Sequence, residues 1–171
     1  VPYIRVMAEP TAEPQDGDLV LAASLYGQLC DYAKDTKVTP LIETHGKLAC
    51  SDIMLDFLAK ANRPNMGVLW DIHHPYRYYN EAPSKTVPAL KDYIRHVHIK
   101  DSVMNNKTVE YRMMGYGDVP LQDALTQLHS VGYKGFVSLE WVKRWNPNLE
   151  EPGTVFAHFS TYMRFLLNRM K

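Results

Sequence analysis

Several kinds of protein are excluded by what this chain has little of. No apolar run approaches the length needed to span a bilayer, and the first residues read as a strand, not as a signal peptide. An excess charge of either sign is missing too: 19 Lys and Arg balance 19 Asp and Glu, giving a formal net charge of zero. With no basic run or stripe, a nucleic-acid backbone is not the expected partner. Cysteine is scarce. Cys30 and Cys50 are the only two, too few for a disulfide framework and without metal-ligand spacing. Both read as free, buried thiols at helical positions, and the cytoplasm is the expected compartment. Low-complexity tracts, linkers and a composition shift that would mark a second domain are also missing.

What is present is ordinary globular material. The apolar share is 46% and the charged share 22%, and 171 residues suffice for one domain with a sizeable core. The chain opens on Val1 and is in an apparent strand by Tyr3, which reads as a piece of a longer or processed chain.

Short apolar runs alternate with longer amphipathic stretches, the pattern of βα units around a parallel sheet. Strands are predicted at about Tyr3–Met7, Val38–Ile42, Met66–Trp70, Ile94–Ile99 and Phe136–Leu139. A Pro/Glu/Asp-rich loop follows the first. Helices are predicted from near Asp18 to Ala33, with Leu21, Leu25 and Leu29 as its apolar face, and from near Cys50 through Leu58. Further helices are expected at Val87–Tyr93, entered through Pro83 and Ser84, at Leu121–His129, closed by Val131-Gly132, and at Val155–Met170. His73–Tyr79 reads as a polar, aromatic loop. The polar stretch Asp101–Asp118 reads as an insertion whose Thr108–Met114 part alternates like a hairpin arm. Gly115-Tyr116-Gly117-Asp118 lacks the strand-to-helix setting of a dinucleotide site and reads as a turn.

The chemistry sits at the strand ends. Leu41-Ile42 runs into Glu43, Val68-Leu69-Trp70 into Asp71, Val97 into His98 and Ser138-Leu139 into Glu140. In a parallel sheet these ends converge on one face, where active sites of such folds lie. Carboxylates and an imidazole there make a mixed oxygen/nitrogen site for a divalent metal. One such residue is readily a satisfied polar group; four in consecutive units, each after a buried run, are costly unless paired or metal-bound. Around them, His74 is a candidate for a substrate oxygen, and Lys100 for an oxyanion or a substrate phosphate. His45 and Lys47 are weaker substrate candidates, and Trp141 and Trp145 candidate pocket walls. His96, two before His98, faces the same way and reads as supporting residue or core.

Four segments together resemble a known family. They are Glu43-Thr44-His45-Gly46, Trp70-Asp71-Ile72-His73-His74-Pro75, His96-Val97-His98-Ile99-Lys100-Asp101 and Gly135-Phe136-Val137-Ser138-Leu139-Glu140-Trp141. They are similar, in order, to those of the xylose-isomerase-like barrel superfamily, with the sugar phosphate isomerase/epimerase group nearest. The resemblance implies an α/β fold, a partial (β/α)8 TIM barrel over residues 1–171, with strands four to eight and their helices but not the first three units. A complete barrel has eight strands and about 250 residues.

The resemblance further implies that Glu43, Asp71, His98 and Glu140 hold one divalent ion, manganese, magnesium, cobalt or zinc. The two glutamates would move a proton off and onto a sugar carbon through an enediolate, and His74 would match the family's substrate-binding histidine of the Asp-x-x-His motif. The expected ligand is a small sugar or sugar phosphate. The lone edges of an incomplete barrel predict self-association. Three alternatives stay open: an inosose-type dehydratase, an endonuclease IV-like phosphodiesterase, and an inactive, truncated metal-binding remnant. Balanced charge and the lack of further histidine motifs after His98 weigh against the phosphodiesterase.

Overall fold

A computed structural model of the chain describes residues 2–8 and 16–170. The acidic, proline-containing loop expected after the first strand falls mostly on residues 9–15 and lies outside the described residues.

Strand β1 (Tyr3–Val6) leads to helix α1 (Asp16–Ala33), then β2 (Thr39–Glu43) and α2 (Ser51–Ala61). Strand β3 (Gly67–Asp71) is followed by α3 (His73–Tyr79) and α4 (Pro83–Leu90), and β4 (Ile94–Ile99) by a hairpin of β5 (Asp101–Asn105) and β6 (Thr108–Arg112). Then come α5 (Leu121–Ser130), β7 (Val137–Leu139) and α6 (Pro152–Asn168). The five-stranded sheet has the order β1-β2-β3-β4-β7 and all its pairs are parallel, while β5 and β6 form a separate antiparallel pair. Each parallel step needs a long crossover, and the helices supply it. This is the curled sheet and helical layer of part of a TIM barrel, as expected.

The period of two along the strands divides the sheet into two chemically different faces. Ile42, Val68, Trp70, Val97 and Ile99 point to the helices and are at most 1% exposed. They join Tyr26, Cys30, Met54, Phe57, Val87, Leu90 and Leu128 in one core. The alternate residues, Arg5, Leu41, Glu43, Leu69, Asp71, His96 and His98, share the opposite, inner face, as the strand register requires. Strand β3 is buried along its whole length, which explains its near-continuous apolar run.

The helix layer is pinned by a buried carboxylate. Glu81 accepts from the Ser51 N–H at the start of α2 (3.3 Å) and from the Thr86 hydroxyl in α4 (2.6 Å).

Several expectations are corrected here. His73–Tyr79 is helix α3, not a loop; its apolar period is absent because tertiary contacts hold it, His73 stacking on Tyr111 and Arg77 binding Ser102. The short helix lies at Pro83–Leu90 instead of Val87–Tyr93, with Pro83 in the first turn where its missing N–H costs nothing. In α1, Leu21 and Leu25 are exposed; Ala23, Tyr26 and Cys30 face the core instead. Both cysteines are free, but only Cys30 is fully buried.

The exposed leucines sit beside the outer edge of β1. Leu21, Leu25 and Leu29, with Val6, Met7 and Ile42, line an apolar groove of about 510 Å³. Beside β7 a second apolar groove, of about 480 Å³, is lined by Leu125, Phe136, Phe159, Met163 and Leu167.

Candidate metal centre

Glu43 and Asp71 are the last residues of β2 and β3, His98 is the penultimate residue of β4, and Glu140 directly follows β7. The curl of the sheet brings one ligand atom from each within 4.8 Å of the others. Glu43 and Asp71 are buried, while the side chains of His98 and Glu140 are each 16% exposed. The centre therefore has a closed floor and a more open side toward β4 and β7.

Two cations, neither read from the sequence as a partner of these carboxylates, are set among them. Arg5 of β1 donates from Nε (2.7 Å) to Oε2 of Glu43, and its terminal nitrogens reach Glu43 Oε2 (2.5 Å) and Glu140 Oε1 (3.1 Å). Lys100, just after β4, binds Oδ2 of Asp71 and lies 2.5 Å from Oε2 of Glu140. Lys100 is 2% exposed. Burial works against its charge, but Asp71 and Glu140 outweigh burial and raise its pKa above the ordinary lysine value. Three carboxylates thus face two fixed cations.

The cations do not satisfy the whole cluster. Glu43 Oε1 and His98 Nδ1 are buried without a hydrogen-bond partner. They lie 3.4 Å apart, and His98 Nδ1 is 3.7 Å from Glu140 Oε1, close enough for attraction but off hydrogen-bond geometry. Burial pushes the Glu43 carboxyl up, but His98 and Arg5 together hold it below the usual range. Buried polar atoms without a hydrogen-bond partner are rare and call for an explanation. A carboxylate oxygen and an imidazole nitrogen side by side are the donor set of a borderline divalent cation, so the residues fit a metal.

The neighbouring backbone is held in place. Thr44 Oγ1 accepts from the Asp71 N–H (2.9 Å) and donates to the Asp71 carbonyl (3.2 Å), locking β2 to β3 at the rim. Asp71 Oδ1 accepts from the His73 N–H at the start of α3 (2.9 Å). Asp101, beyond Lys100, is buried and accepts from the N–H groups of Ser102, Gly115, Gly117 and Val119 at 2.8, 2.8, 2.9 and 3.3 Å. It ties the glycine turn to β5. Gly115 at φ 86° takes a left-handed conformation that suits glycine.

The substrate candidates divide. His74 lies against the cluster, with Nε2 3.5 Å from Asp71 Oδ2 and its ring 4.4 Å from that of His45. Burial, then Lys100, push its pKa down to about 3, so the ring is neutral near neutral pH. Lys100 is at the cluster but turned into the carboxylates. Trp141 is half-buried and its indole N–H donates to the Glu150 carbonyl (2.9 Å), folding the loop after β7 onto itself. Trp145 is largely exposed. His96 bonds Ser138 Oγ (2.9 Å) one layer below His98 and packs edge-on against it. It braces the strand that carries His98. Arg5 and the bracing role of Thr44 are not evident from the sequence because their partners lie on other strands; the alternation of β1, which puts Arg5 on the inner face, is the one available signal.

Parallel strands ending in a convergent carboxylate–imidazole cluster, with helices behind, define a (β/α)-barrel protein with a candidate metal centre. The model for the xylose isomerase-like TIM barrel matches residues 2–159, and the chain belongs to that family. Among curated proteins it is 29% identical over 120 residues to fructoselysine 3-epimerase of Escherichia coli O157:H7, covering 67% of this chain and 42% of that protein. Among solved structures, a xylose isomerase domain protein from Planctomyces limnophilus matches with a TM-score of 0.72 and 21% identity, over 98% of this chain and 57% of that one. An L-ribulose 3-epimerase matches with a TM-score of 0.78 and 14% identity, over 96% and 61%. The chain thus spans about half the length of these relatives.

Proposed function

We propose that this chain carries the metal-binding and proton-transferring end of a sugar or sugar-phosphate isomerase/epimerase. The observation that supports the reading best is the convergence of Glu43, Asp71, His98 and Glu140 within 4.8 Å at the C-terminal strand ends, with Glu43 Oε1 and His98 Nδ1 unpartnered. Those four residues would hold one divalent ion, of manganese, magnesium, cobalt or zinc. When bound, such an ion acts as a Lewis acid toward neighbouring carbonyl and hydroxyl oxygens.

The residues' own tasks follow from their surroundings. Glu43, buried and held by Arg5, and Glu140, at the more open side, are the pair that takes a proton from a sugar carbon and returns one, through an enediolate. Return to the opposite face gives an epimer; return to the neighbouring carbon gives an isomer. Lys100 sets a fixed positive charge beside the developing oxyanion. Neutral His74 supplies one ring donor and one acceptor to substrate hydroxyls, with His45 beside it. Trp141, its N–H already used, can offer only a ring face as a pocket wall. An epimerase reading draws on the named epimerases of similar fold and sequence. We also propose that the open edges at β1 and β7 are covered by self-association.

The test is deuterium incorporation at carbon, followed by NMR, when the metal-supplemented protein meets a panel of ketoses, aldoses and their phosphates in D2O. Exchange with a new epimer or isomer supports the reading. Loss of water from substrate without such exchange would replace it by the dehydratase alternative, and silence across the panel would leave a metal-binding remnant.

A further inference from the structure

The two halves of the cluster differ in what they touch. On one side Glu43 Oε1 and His98 Nδ1 are buried and unpartnered. On the other, Asp71 Oδ2 and Glu140 Oε2 are both bound by Lys100 Nζ. Lys100 therefore serves two of the four candidate metal ligands, from a position 2% exposed. Asp71 Oδ1 in turn accepts from the His73 N–H, so each of its oxygens already holds one donor. A divalent ion drawing on all four residues would sit among the same carboxylates as this ammonium, close to a fixed positive charge. In a buried site, two neighbouring cations repel far more strongly than in water.

We infer that Lys100 is a built-in antagonist of metal binding: an intramolecular counter-cation that balances Asp71 and Glu140 in the metal-free protein and weakens the ion's hold. The inference rests on the metal reading of the site but not on any sugar chemistry. Two consequences follow. Without metal, the lysine keeps buried carboxylates from facing each other uncompensated, so the fold tolerates the empty state. With metal, the affinity is set below what the four ligands alone would give.

Both consequences are measurable on the whole chain by equilibrium dialysis against Mn²⁺ and by thermal unfolding with and without Mn²⁺. Lys100→Gln removes the charge and keeps a donor, and Lys100→Met is close to isosteric. Each is expected to bind Mn²⁺ roughly tenfold more tightly than wild type or better. Each should melt lower than wild type when metal-free, and gain more in melting temperature on adding Mn²⁺. Lys60→Gln changes net charge equally at an exposed pair with Asp56 and should match wild type. If Lys100→Gln is unfolded without metal, its Mn²⁺-dependent refolding gives the same comparison. Equal or weaker Mn²⁺ binding by both Lys100 variants, with wild type binding normally, overturns the inference and leaves the metal reading standing. Binding by neither wild type nor variants overturns the metal reading and this inference together.

Discussion

The side chains of the centre are ordinary residues made unusual by what surrounds them. Glu43 is a carboxylate at the end of an apolar strand, kept ionised because His98 and Arg5 outweigh its burial. If Glu43 and Glu140 are the proton carriers, Glu43→Gln and Glu140→Gln should each lower sugar proton exchange by about 10²–10⁴-fold, read from deuterium incorporation. Equal turnover in either variant would remove that residue from the chemistry. Asp101 plays a different part: instead of joining the four candidate ligands it gathers four backbone N–H groups around one carboxylate. Asp101→Ala would leave these donors facing a void, and about 3 kcal/mol or more of stability should be lost, measurable by urea unfolding. Gly117→Ala should behave alike, because a Cβ there would overlap Asp101 Oδ1 and the Ser102 carbonyl.

At the level of elements, the rim is built by pieces that carry little helical or strand signal of their own. Helix α3 is seven residues long, short enough to depend on its anchors. Arg77 is the main one, its Nε donating to Ser102 Oγ (2.7 Å) and its NH2 binding the Ser102 carbonyl and Asp118. Arg77→Ala should therefore free α3 from the β5–β6 hairpin at a cost of about 2 kcal/mol. Hydrogen exchange should rise in α3 and β5 while the β2–β3 ladder stays protected. Uniform protection across both would mean that the arginine does not anchor the helix.

At the scale of the whole chain, the dominant feature is a five-stranded part of a barrel with two apolar flanks. Leu21 and Leu25 are 60% and 54% exposed beside an edge strand, and edges of this kind recruit further chain. Zero net charge offers no long-range repulsion against that. Light scattering during size exclusion should show mass rising above the monomer with concentration, and Leu21→Lys with Leu25→Lys should move it back. A clean wild-type monomer at high concentration would sink the self-association proposal.

The order of strands and the inner-face placement of Glu43, Asp71, His98 and Glu140 were legible in the amino-acid sequence because each depends on local rules. Apolar runs of strand length, helical stretches between them and a period of two decide which residues line the inner face and end the strands. Where the rules are local but weak, as in His73–Tyr79, the pattern misled, because that helix is held by Tyr111 and Ser102 from another element. What tertiary structure alone decided is who compensates whom. Arg5 lies 38 residues from Glu43, and Lys100 29 from Asp71 and 40 from Glu140. The parallel pairing of β1 with β2, and of β4 with β3 and β7, brings these cations to the carboxylates. The sequence by itself put the four candidate ligands at strand ends; their electrostatic partners exist only because those strand ends share one small buried space, where the cost of an unpaired charge selects its neighbours.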